Sequence, residues 1–387
     1  MEYKKINELT AVVTGGTPST RKNEYWDNGD IPWLQSGCCQ NCDVDSTEKY
    51  ITKEGYNNSS THMMPADTVM IALTGATAGK VGYLKFEACG NQSITGILPC
   101  ESLNQRYLFF YLLSQREKIL ADCVGGAQAH ISQSYVKNMT IPILAIKEQE
   151  QIVGELTKLS NIVSLRQEEI QQLDALIKAR FVEMFGDPIQ NPKGWEVVTI
   201  GDIVTEVRYG TSKPAVEGGK YPYLRMNNLT ADGHLDLNDL KYIDIPDDEI
   251  EKCVVRKGDV LFNRTNSIEL VGKTAVFDLP EDMIIAGYII RVRLTEKMLP
   301  EVLSQYMNLE ALKGILRGMA KGAVNQANIN AQELQSIKVY IPEMELQKQF
   351  VKMKEQIYKS KFDTMTFAPI YDIINLYLHT HFYQVRR

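Results

Sequence analysis

The order of motifs along this chain is repeated once, and this duplication constrains the fold most strongly, because two similar halves of a chain predict two similar structural units. The matching segments lie roughly 190 to 200 residues apart in a chain of 387 residues. They are residues 13–19 with 207–214, 31–34 with 221–224, 65–71 with 257–263, 78–80 with 271–273, 128–132 with 326–330, 141–142 with 341–342 and 149–153 with 347–351. Each half is therefore expected to fold as one unit.

Within each half, the same succession of elements is predicted. Short apolar strands separated by Gly, Asn and Thr come first, at residues 69–73, 81–86 and 94–98, and again at 260–263, 274–277 and 284–294. A helix follows at residues 105–120 and 301–316, then a loop rich in Gly, Gln and Asn, an Ile-Pro strand end and a long helix.

The two long helices carry heptad patterns of apolar residues, which are typical of coiled coils. The first has no proline between residues 149 and 185, and Gly186 and Pro188 predict its end. Pro369 predicts a kink in the second. The first pattern comprises Ile152, Leu156, Leu159, Val163, Arg166, Ile170, Leu173 and Ile177, with Arg166 as its polar break; the second comprises Leu346, Phe350, Met353, Ile357, Ser360, Thr364, Phe367, Tyr371, Ile374 and Leu378.

These patterns predict an α+β fold with two domains, each a mixed or antiparallel β-rich globule with helices. The domains are separated by two long helices that pair as an antiparallel coiled coil. The expected boundaries are residues 1–144 for the first domain, 145–186 for the central helix, 187–342 for the second domain and 343–387 for the C-terminal helix. The alternative is that each long helix is buried separately in the core of its own domain. Helices of globular proteins average only about 11–12 residues, so the length of these two favours the coiled coil.

Composition bears on the compartment and on the partners. The N-terminal residues have no apolar core, and the longest apolar run, residues 283–290, is far shorter than the roughly 20 residues of a membrane span. The chain has 7 cysteines, an odd number, which favours reduced thiols in the cytoplasm over a disulfide framework. The net charge of −6 alone argues weakly against a nucleic-acid partner, and it predicts weak DNA affinity for the isolated chain.

The sequence contains no convincing catalytic or metal-binding motif. The segment Thr74-Gly-Ala-Thr-Ala-Gly-Lys80 is one residue short of a phosphate-binding loop and has Val81 where Ser or Thr would bind the metal ion. The Cys-x-x-Cys of residues 39–42 lacks a second pair of ligands at zinc-site spacing. Asn191-Pro-Lys-Gly lacks the Pro-aromatic pair of the DNA amino-methyltransferase motif. A non-catalytic binding protein is therefore expected.

Five motifs, taken in order, resemble the DNA-specificity subunit of Type I restriction–modification systems over essentially the whole chain. They are Gly16-Thr-Pro18, Thr74-Gly-Ala-Thr-Ala-Gly-Lys80, Leu261-Phe-Asn-Arg-Thr-Asn-Ser267 with Val271-Gly-Lys-Thr-Ala275, the Ile-Pro and Gln-x-Gln segments before both long helices, and Phe185-Gly-Asp-Pro188 with Asn191-Pro-Lys-Gly-Trp195. Most of these motifs are weak alone, and the duplicated order makes the set specific.

This resemblance implies a division of labour among subunits. Each domain would be a target-recognition domain that reads one half of a bipartite, asymmetric site on double-stranded DNA, and the helix length would set the gap. Two methyltransferase subunits would dock on the long helices and on residues 191–195, and a motor-nuclease subunit can join them. S-adenosylmethionine, ATP and Mg would belong to those partners, and this cytoplasmic bacterial or archaeal chain would hold no cofactor, metal ion or catalytic residue.

The resemblance, together with the side chains that read bases or phosphates, defines the expected DNA contacts. In the first half they are Thr17, Gln35, Ser36, Thr74, Lys80, Gln128 and His130; in the second they are Thr211, Lys213, Arg225, Asn227, Asn263, Arg264, Thr265, Asn266, Lys273, Gln326 and Asn328. The first-half equivalent of residues 263–265 is residues 71–73 by strand register, or includes Thr74 if the turn is shifted by one. Turn-forming or generic surface roles remain open for these residues.

Three alternatives remain open at this point. The chain could be the recognition part of a self-contained DNA methyltransferase or endonuclease, although the cofactor motifs of such enzymes are missing from the sequence. It could be a coiled-coil scaffold without a DNA role, which would leave the duplicated Gly-, Asn- and Arg-containing loops unexplained. It could also be a silent copy of a specificity subunit.

Overall fold

The computed structural model describes residues 2–123, 130–323, 326–365, 374, 376–378 and 380. The chain divides into two compact units: unit 1 comprises Met1–Gln167 with Thr366–Arg387, and unit 2 comprises Glu168–Met365. Each unit contains both strands and helices, as the α+β prediction requires. Among the described residues, no helix combines the length and apolar character of a membrane span.

Unit 1 is built around a five-stranded sheet. Its elements are β1 (Glu2–Lys5), α1 (Ile6–Leu9), β2 (Val12–Thr14), β3 (Ile31–Leu34), β4 (Cys42–Val44), β5 (Tyr50–Ile51), α2 (Lys53–Asn57), β6 (Val69–Ala72), β7 (Val81–Leu84), β8 (Cys89–Gly90), β9 (Ile94–Ile97), α3 (Gln105–Ser114), α4 (Arg116–Ala121), α5 (Gln133–Asn138), β10 (Thr140–Ile143) and the first part of α6 (Ile146–Phe185). The strand order is β2-β9-β6-β7-β4, with separate β5-β3-β8 and β1-β10 sheets.

The central strand β6 is buried on both faces, which explains its continuous apolar sequence. Val69 and Ile71 pack into the cluster that contains helix α3, whereas Met70 and Ala72 pack into a second cluster with Leu34 and Met64. This alternation follows from the two-residue period of a β-strand.

Unit 2 repeats this plan with a four-stranded central sheet of order β12-β20-β16-β18. Its elements are the rest of α6, β11 (Glu196–Thr199), β12 (Val204–Tyr209), β13 (Tyr221–Leu224), β14 (Lys241–Ile243), α7 (Asp247–Cys253), β15 (Val254–Val255), β16 (Val260–Asn263), β17 (Thr265–Asn266), β18 (Thr274–Val276), β19 (Met283–Ile285), β20 (Ile289–Leu294), α8 (Pro300–Met307), α9 (Glu310–Met319), β21 (Lys321–Ala323), β22 (Gln326–Asn328), α10 (Ala331–Gln335), β23 (Lys338–Ile341) and α11 (Met344–Met365). Val260 and Phe262 pack on one face of β16 and Leu261 on the other, as in β6.

Each of the two mid-length helices predicted as continuous is divided into two, which corrects the prediction. In unit 2 the break falls at Asn308, between α8 and α9. The Asn308 side chain donates to the Thr274 carbonyl at 2.5 Å and accepts from the Thr274 amide at 3.3 Å. Asn side chains that pair with backbone groups outside the helix compete with helix continuation.

Helix α6 is 40 residues long and ends at Phe185, as the sequence predicts. Gly186 follows with a φ of +90°, a backbone conformation that glycine adopts without a steric cost. Every residue of its heptad pattern except Arg166 is buried or half-buried. The predicted kink at Pro369 lies outside the described residues.

The two long helices run antiparallel in unit 2. In unit 2 the ring of Phe350 lies 5.3 Å from that of Phe181, and Lys361 Nζ lies 2.6 Å from Asp174 Oδ1. In unit 1 the Tyr377 hydroxyl donates to the Glu155 carboxylate. In unit 2, residue numbers rise from Phe350 to Lys361 on α11 as they fall from Phe181 to Asp174 on α6, which matches the predicted antiparallel pairing.

Candidate nucleic-acid interface

Backbone hydrogen bonds fix which residues of the two units are equivalent at the end of the central strand. The Arg264 amide donates to the Tyr288 carbonyl at 2.9 Å, and the Arg264 carbonyl accepts from the Ile329 amide at 2.9 Å. In unit 1 the Leu73 amide donates to the Ser93 carbonyl at 2.8 Å, and the Leu73 carbonyl accepts from the Ile131 amide at 2.9 Å.

The match extends to the neighbouring residues. Thr265 pairs with Asn328 in an antiparallel bridge, and Thr74 pairs with His130 in the same way. Residues 72–74 are therefore equivalent to 263–265, so the shifted register, which includes Thr74, is the one found. Leu73 occupies the position of Arg264.

Five of the residues predicted to contact DNA in the second half line one cavity of about 520 Å³ in unit 2. They are Thr211, Lys213, Arg225, Asn227 and Arg264. Tyr223 and Tyr288 also line this cavity, and the lining contains no acidic residue.

The cations of this cavity differ in their pairing. Lys213 Nζ lies 2.8 Å from Glu249 Oε2, and Arg225 Nη2 lies 2.7 Å from Asp239 Oδ2. Arg264 has no acidic partner among the described residues. Its Nη1 is 3.4 Å from the Gly287 carbonyl, its Nε is buried without a hydrogen bond, and its Cζ lies 4.9 Å from the centre of the Tyr209 ring. Arg264 is thus the cation of this cavity that retains the most unused donors.

Other predicted contact residues of unit 2 hold the loop together. Asn263 is fully buried; its Nδ2 donates to the carbonyls of Thr265 and Tyr288 at 3.3 Å, and its Oδ1 accepts from Asn266 Nδ2 at 3.0 Å. Thr265 Oγ1 donates to Asn328 Oδ1 at 2.8 Å. These residues support the position of Arg264.

Lys273 is also held inside the fold. It is 7% exposed and donates to the Met226 carbonyl at 2.9 Å, and burial lowers the pKa of its ammonium group. Gln326 lies on strand β22, and its side chain is outside the described part of the chain.

Unit 1 places a different cavity, of about 800 Å³, beside the corresponding strands. Thr17 and Gln35 line it, and Thr17 Oγ1 donates to Gln92 Oε1 at 2.5 Å. Its other lining residues include three further amides and several aromatic rings, namely Asn23, Asn28, Asn91, Trp26, Trp33 and Tyr50. Glu48 and Lys49 are the charged residues of this lining.

The remaining predicted residues of unit 1 are not among the lining residues of this cavity. Ser36 follows Gln35 in a short turn. Lys80 Nζ donates to Gln40 Oε1 at 2.6 Å, and Thr74 Oγ1 donates to Ser93 Oγ at 2.8 Å. His130 is exposed, and Gln128 lies outside the described residues.

The aromatic residues of both cavities were missed by the sequence reasoning. Tyr50 and Tyr288 are 43% and 49% exposed although they are large rings. Trp26 packs edge-on against Trp33 with ring centres 5.0 Å apart. Their position beside the repeated Gly-Thr and Pro-aromatic segments is the signal that could have revealed them.

The described residues contain no group of three or more His, Cys, Asp or Glu side chains arranged to hold a metal ion. Cys38, Cys39 and Cys42 are free thiols. Burial raises the pKa of Cys89 to about 11, so this thiol stays protonated at neutral pH.

The comparison with known proteins identifies the family. The model of the Type I restriction modification DNA specificity domain matches the chain twice, at residues 1–175 and 192–368. The chain belongs to this family. The two matches correspond to the duplication seen in the sequence and confirm the resemblance on which the expectations were based.

Several relatives are specificity subunits of Type I restriction enzymes. The EcoR124I/EcoR124II subunit of Escherichia coli is 33% identical over 169 residues, which cover 42% of each chain. The EcoKI subunit of Escherichia coli K12 is 24% identical over 91% of this chain and 81% of its own length. The MjaIX subunit of Methanocaldococcus jannaschii is 27% identical over 59% and 58%. The matched regions thus span about half the length of two of these relatives.

Solved structures of the same kind share the fold. The S subunit of a Type I restriction–modification system from M. genitalium has a TM-score of 0.51 and 15% identity, over 97% of this chain and 94% of its own. A structure concerned with complex assembly and conformational transition of the type I R-M system has a TM-score of 0.55 and 18% identity, over 94% and 92%.

Proposed function

We propose that this chain is the sequence-specific DNA-recognition subunit of a Type I restriction–modification enzyme and that it catalyses no reaction itself. The observation that carries the proposal is the pair of unlike polar cavities set on equivalent frameworks in the two units. A duplicated framework with different lining residues suits the reading of two different half-sites, which together form one bipartite, asymmetric target on double-stranded DNA.

The proposed readers are residues 1–144 and 187–342, with the long helices 145–186 and 343–387 as spacers. In unit 2 the contacts with bases and phosphates come from the residues around Arg264, and in unit 1 from those around Gln35. The full set comprises Thr17, Gln35, Ser36, Thr74, Lys80, Gln128, His130, Thr211, Lys213, Arg225, Asn227, Asn263, Arg264, Thr265, Asn266, Lys273, Gln326 and Asn328. Buried members such as Asn263 and Lys273 contribute by holding the exposed ones in place.

The partner subunits carry out the catalysed reactions and contribute part of the DNA affinity. Two methyltransferase subunits dock on the long helices, and a motor-nuclease subunit completes the restriction form. S-adenosylmethionine, ATP and Mg bind to those subunits in the cytoplasm. Because phosphate neutralisation supplies most non-specific affinity, a chain with a net charge of −6 needs these partners for tight binding.

Co-expression with a methyltransferase subunit of a Type I system, followed by mapping of modified bases on genomic DNA, tests the proposal. We expect methylation at one bipartite, asymmetric sequence and none when either chain is expressed alone. Methylation by this chain alone would instead identify it as an enzyme. A co-purified complex that modifies no sequence and shows no sequence preference in a gel shift would contradict the DNA-recognition role.

A further inference from the structure

The two units carry unlike residues at one equivalent position beside these cavities. Arg264 of unit 2 and Leu73 of unit 1 form the same backbone hydrogen bonds at the end of the central strand. Arg264 lines the cavity of its unit, whereas Leu73 is 5% exposed and belongs to the apolar core. Unit 1 therefore has no arginine at the position where unit 2 presents one.

The guanidinium of Arg264 is positioned without being neutralised. The Tyr209 ring lies 4.9 Å from its Cζ, and the Tyr209 hydroxyl is fixed because it accepts a hydrogen bond from the Ala331 amide at 2.7 Å. A ring at this distance favours the cation without using its N–H donors. Among the described residues its only hydrogen-bond acceptor is the Gly287 carbonyl at 3.4 Å, which is long for a hydrogen bond.

The chemistry of these donors selects among the bases. Arginine presents parallel N–H groups that match O6 and N7 of guanine in the major groove, whereas glutamine and asparagine match adenine. The unit 2 cavity lining contains three cations and no acidic residue; Lys213 and Arg225 pair with Glu249 and Asp239 outside the lining, whereas Arg264 pairs with no carboxylate among the described residues. In unit 1, amide side chains predominate around the one lysine and one glutamate of the lining.

We propose that Arg264 reads a guanine in the half-site bound by unit 2, and that unit 1 has no equivalent arginine contact with its half-site. This inference rests on the proposed DNA-recognition function and adds the identity of one base to it. It makes Arg264 a specificity-determining residue, distinct from the residues that only hold the loop.

The test uses the chain in complex with its methyltransferase subunits and a DNA library in which every position of the mapped target is varied in turn. The variants are Arg264→Ala, Arg264→Gln and Arg264→Lys. Arg317→Ala is the matched control, because Arg317 is 40% exposed on helix α9, pairs with Glu310 at 2.6 Å and is not among the residues lining the cavity.

We expect the wild-type complex to prefer guanine at one position, and Arg264→Ala to reduce that preference by about 5- to 150-fold while preferences elsewhere persist. Arg264→Gln should shift the same position towards adenine. Arg264→Lys should keep the overall affinity and lose part of the discrimination, because lysine lacks the planar pair of donors. The Arg317→Ala complex should retain the wild-type target.

Two results would overturn the assignment while leaving the DNA-recognition function intact. One is a uniform loss of affinity across all library members, which would identify a phosphate contact. The other is an unchanged target, or a changed preference at a position that is not guanine. If the wild-type complex shows no sequence preference, the proposed function itself fails. Co-purification and thermal unfolding of each variant show whether it folds and assembles. If Arg264→Ala does not assemble, Arg264→Lys, which retains the positive charge, still tests the assignment.

Discussion

In unit 1 the side chain of Gln149 accepts a hydrogen bond from the backbone amide of Asn104 at 2.8 Å, which ties the first turn of the long helix α6 to the start of helix α3. Gln347 repeats this arrangement in unit 2, where it accepts from the Leu299 amide at 2.9 Å and ties α11 to α8. Both glutamines are fully buried, and both donate to the carbonyl five residues before them, Leu144 or Pro342.

We predict that Gln347→Leu lowers the free energy of unfolding of unit 2 by about 1–3 kcal/mol, because it removes the side chain that hydrogen-bonds the Lys297 and Pro342 carbonyls and the Leu299 amide. Urea unfolding followed by circular dichroism measures the change. Gln356→Leu is the control, since Gln356 lies exposed on the same helix. Equal stability of the two variants would show that the Gln347 hydrogen bonds contribute little.

These glutamines show what could be predicted from sequence. The Gln-x-Gln repeat was visible, as were the strands and the long helices, because apolar periodicity and repeated spacing are local signals. Which buried amide each glutamine satisfies depends on the packing of α3 or α8 against the long helix, and this packing brings together residues about 45 positions apart. The same limit hid the cavities, whose lining residues come from several separate loops.

The Arg264 loop illustrates the limit further. Asn263, Arg264, Thr265 and Asn266 are equally plausible DNA contacts in sequence. Only the tertiary hydrogen bonds separate Asn263, buried within the loop, from Arg264, which lines the cavity. The equivalence of Leu73 with Arg264 likewise required backbone pairing across strands, because the two segments share few identical residues.

Lys354 gives a prediction about pH. It is 9% exposed on helix α11, has no acceptor or ion-pair partner among the described residues, and lies 5.4 Å from the Tyr358 ring. Burial lowers its pKa from 10.5 to about 8, against the weaker opposing influence of Glu301 and Asp232. Between pH 8 and 10.5 the unfolded chain therefore holds a proton that the folded chain does not, so unfolding takes up a proton and stability rises with pH.

We expect Lys354→Met to stabilise unit 2 at pH 7 by about 1–3 kcal/mol, because the cost of burying the charge disappears. The advantage over wild type should shrink as the pH rises from 8 to 10.5. Thermal unfolding across this pH range measures it, and Lys352→Met, at an exposed position of the same helix, is the control. A constant difference between the Lys354→Met and wild-type proteins would argue against a titrating Lys354.

The two Gly-Lys pairs of the repeat predict different outcomes on substitution. Lys80 is half-buried and donates to Gln40, whereas Lys273 is buried and donates to the Met226 carbonyl. If Lys80 contacts a phosphate, Lys80→Ala should reduce the slope of log affinity against log salt by about 0.9 and leave thermal stability unchanged. Lys273→Ala should instead lower stability by about 1 kcal/mol. Filter binding at several salt concentrations and thermal unfolding of both variants measure these effects. An unchanged salt slope for Lys80→Ala, or unchanged stability for Lys273→Ala, would contradict the prediction.

The exposed face of α6 gives a prediction about assembly. Ile162 and Leu165 lie three residues apart on unit 1 and are 47% and 63% exposed, so they form one apolar surface on the solvent-exposed side of the helix. We predict that Leu165→Glu weakens co-purification of the methyltransferase subunit, because the charge would have to be buried in the interface. Thermal stability should not change. Gln167→Glu adds the same charge at an exposed position of the same helix and should co-purify normally. Normal assembly of the Leu165→Glu chain would place the methyltransferase dock on another surface.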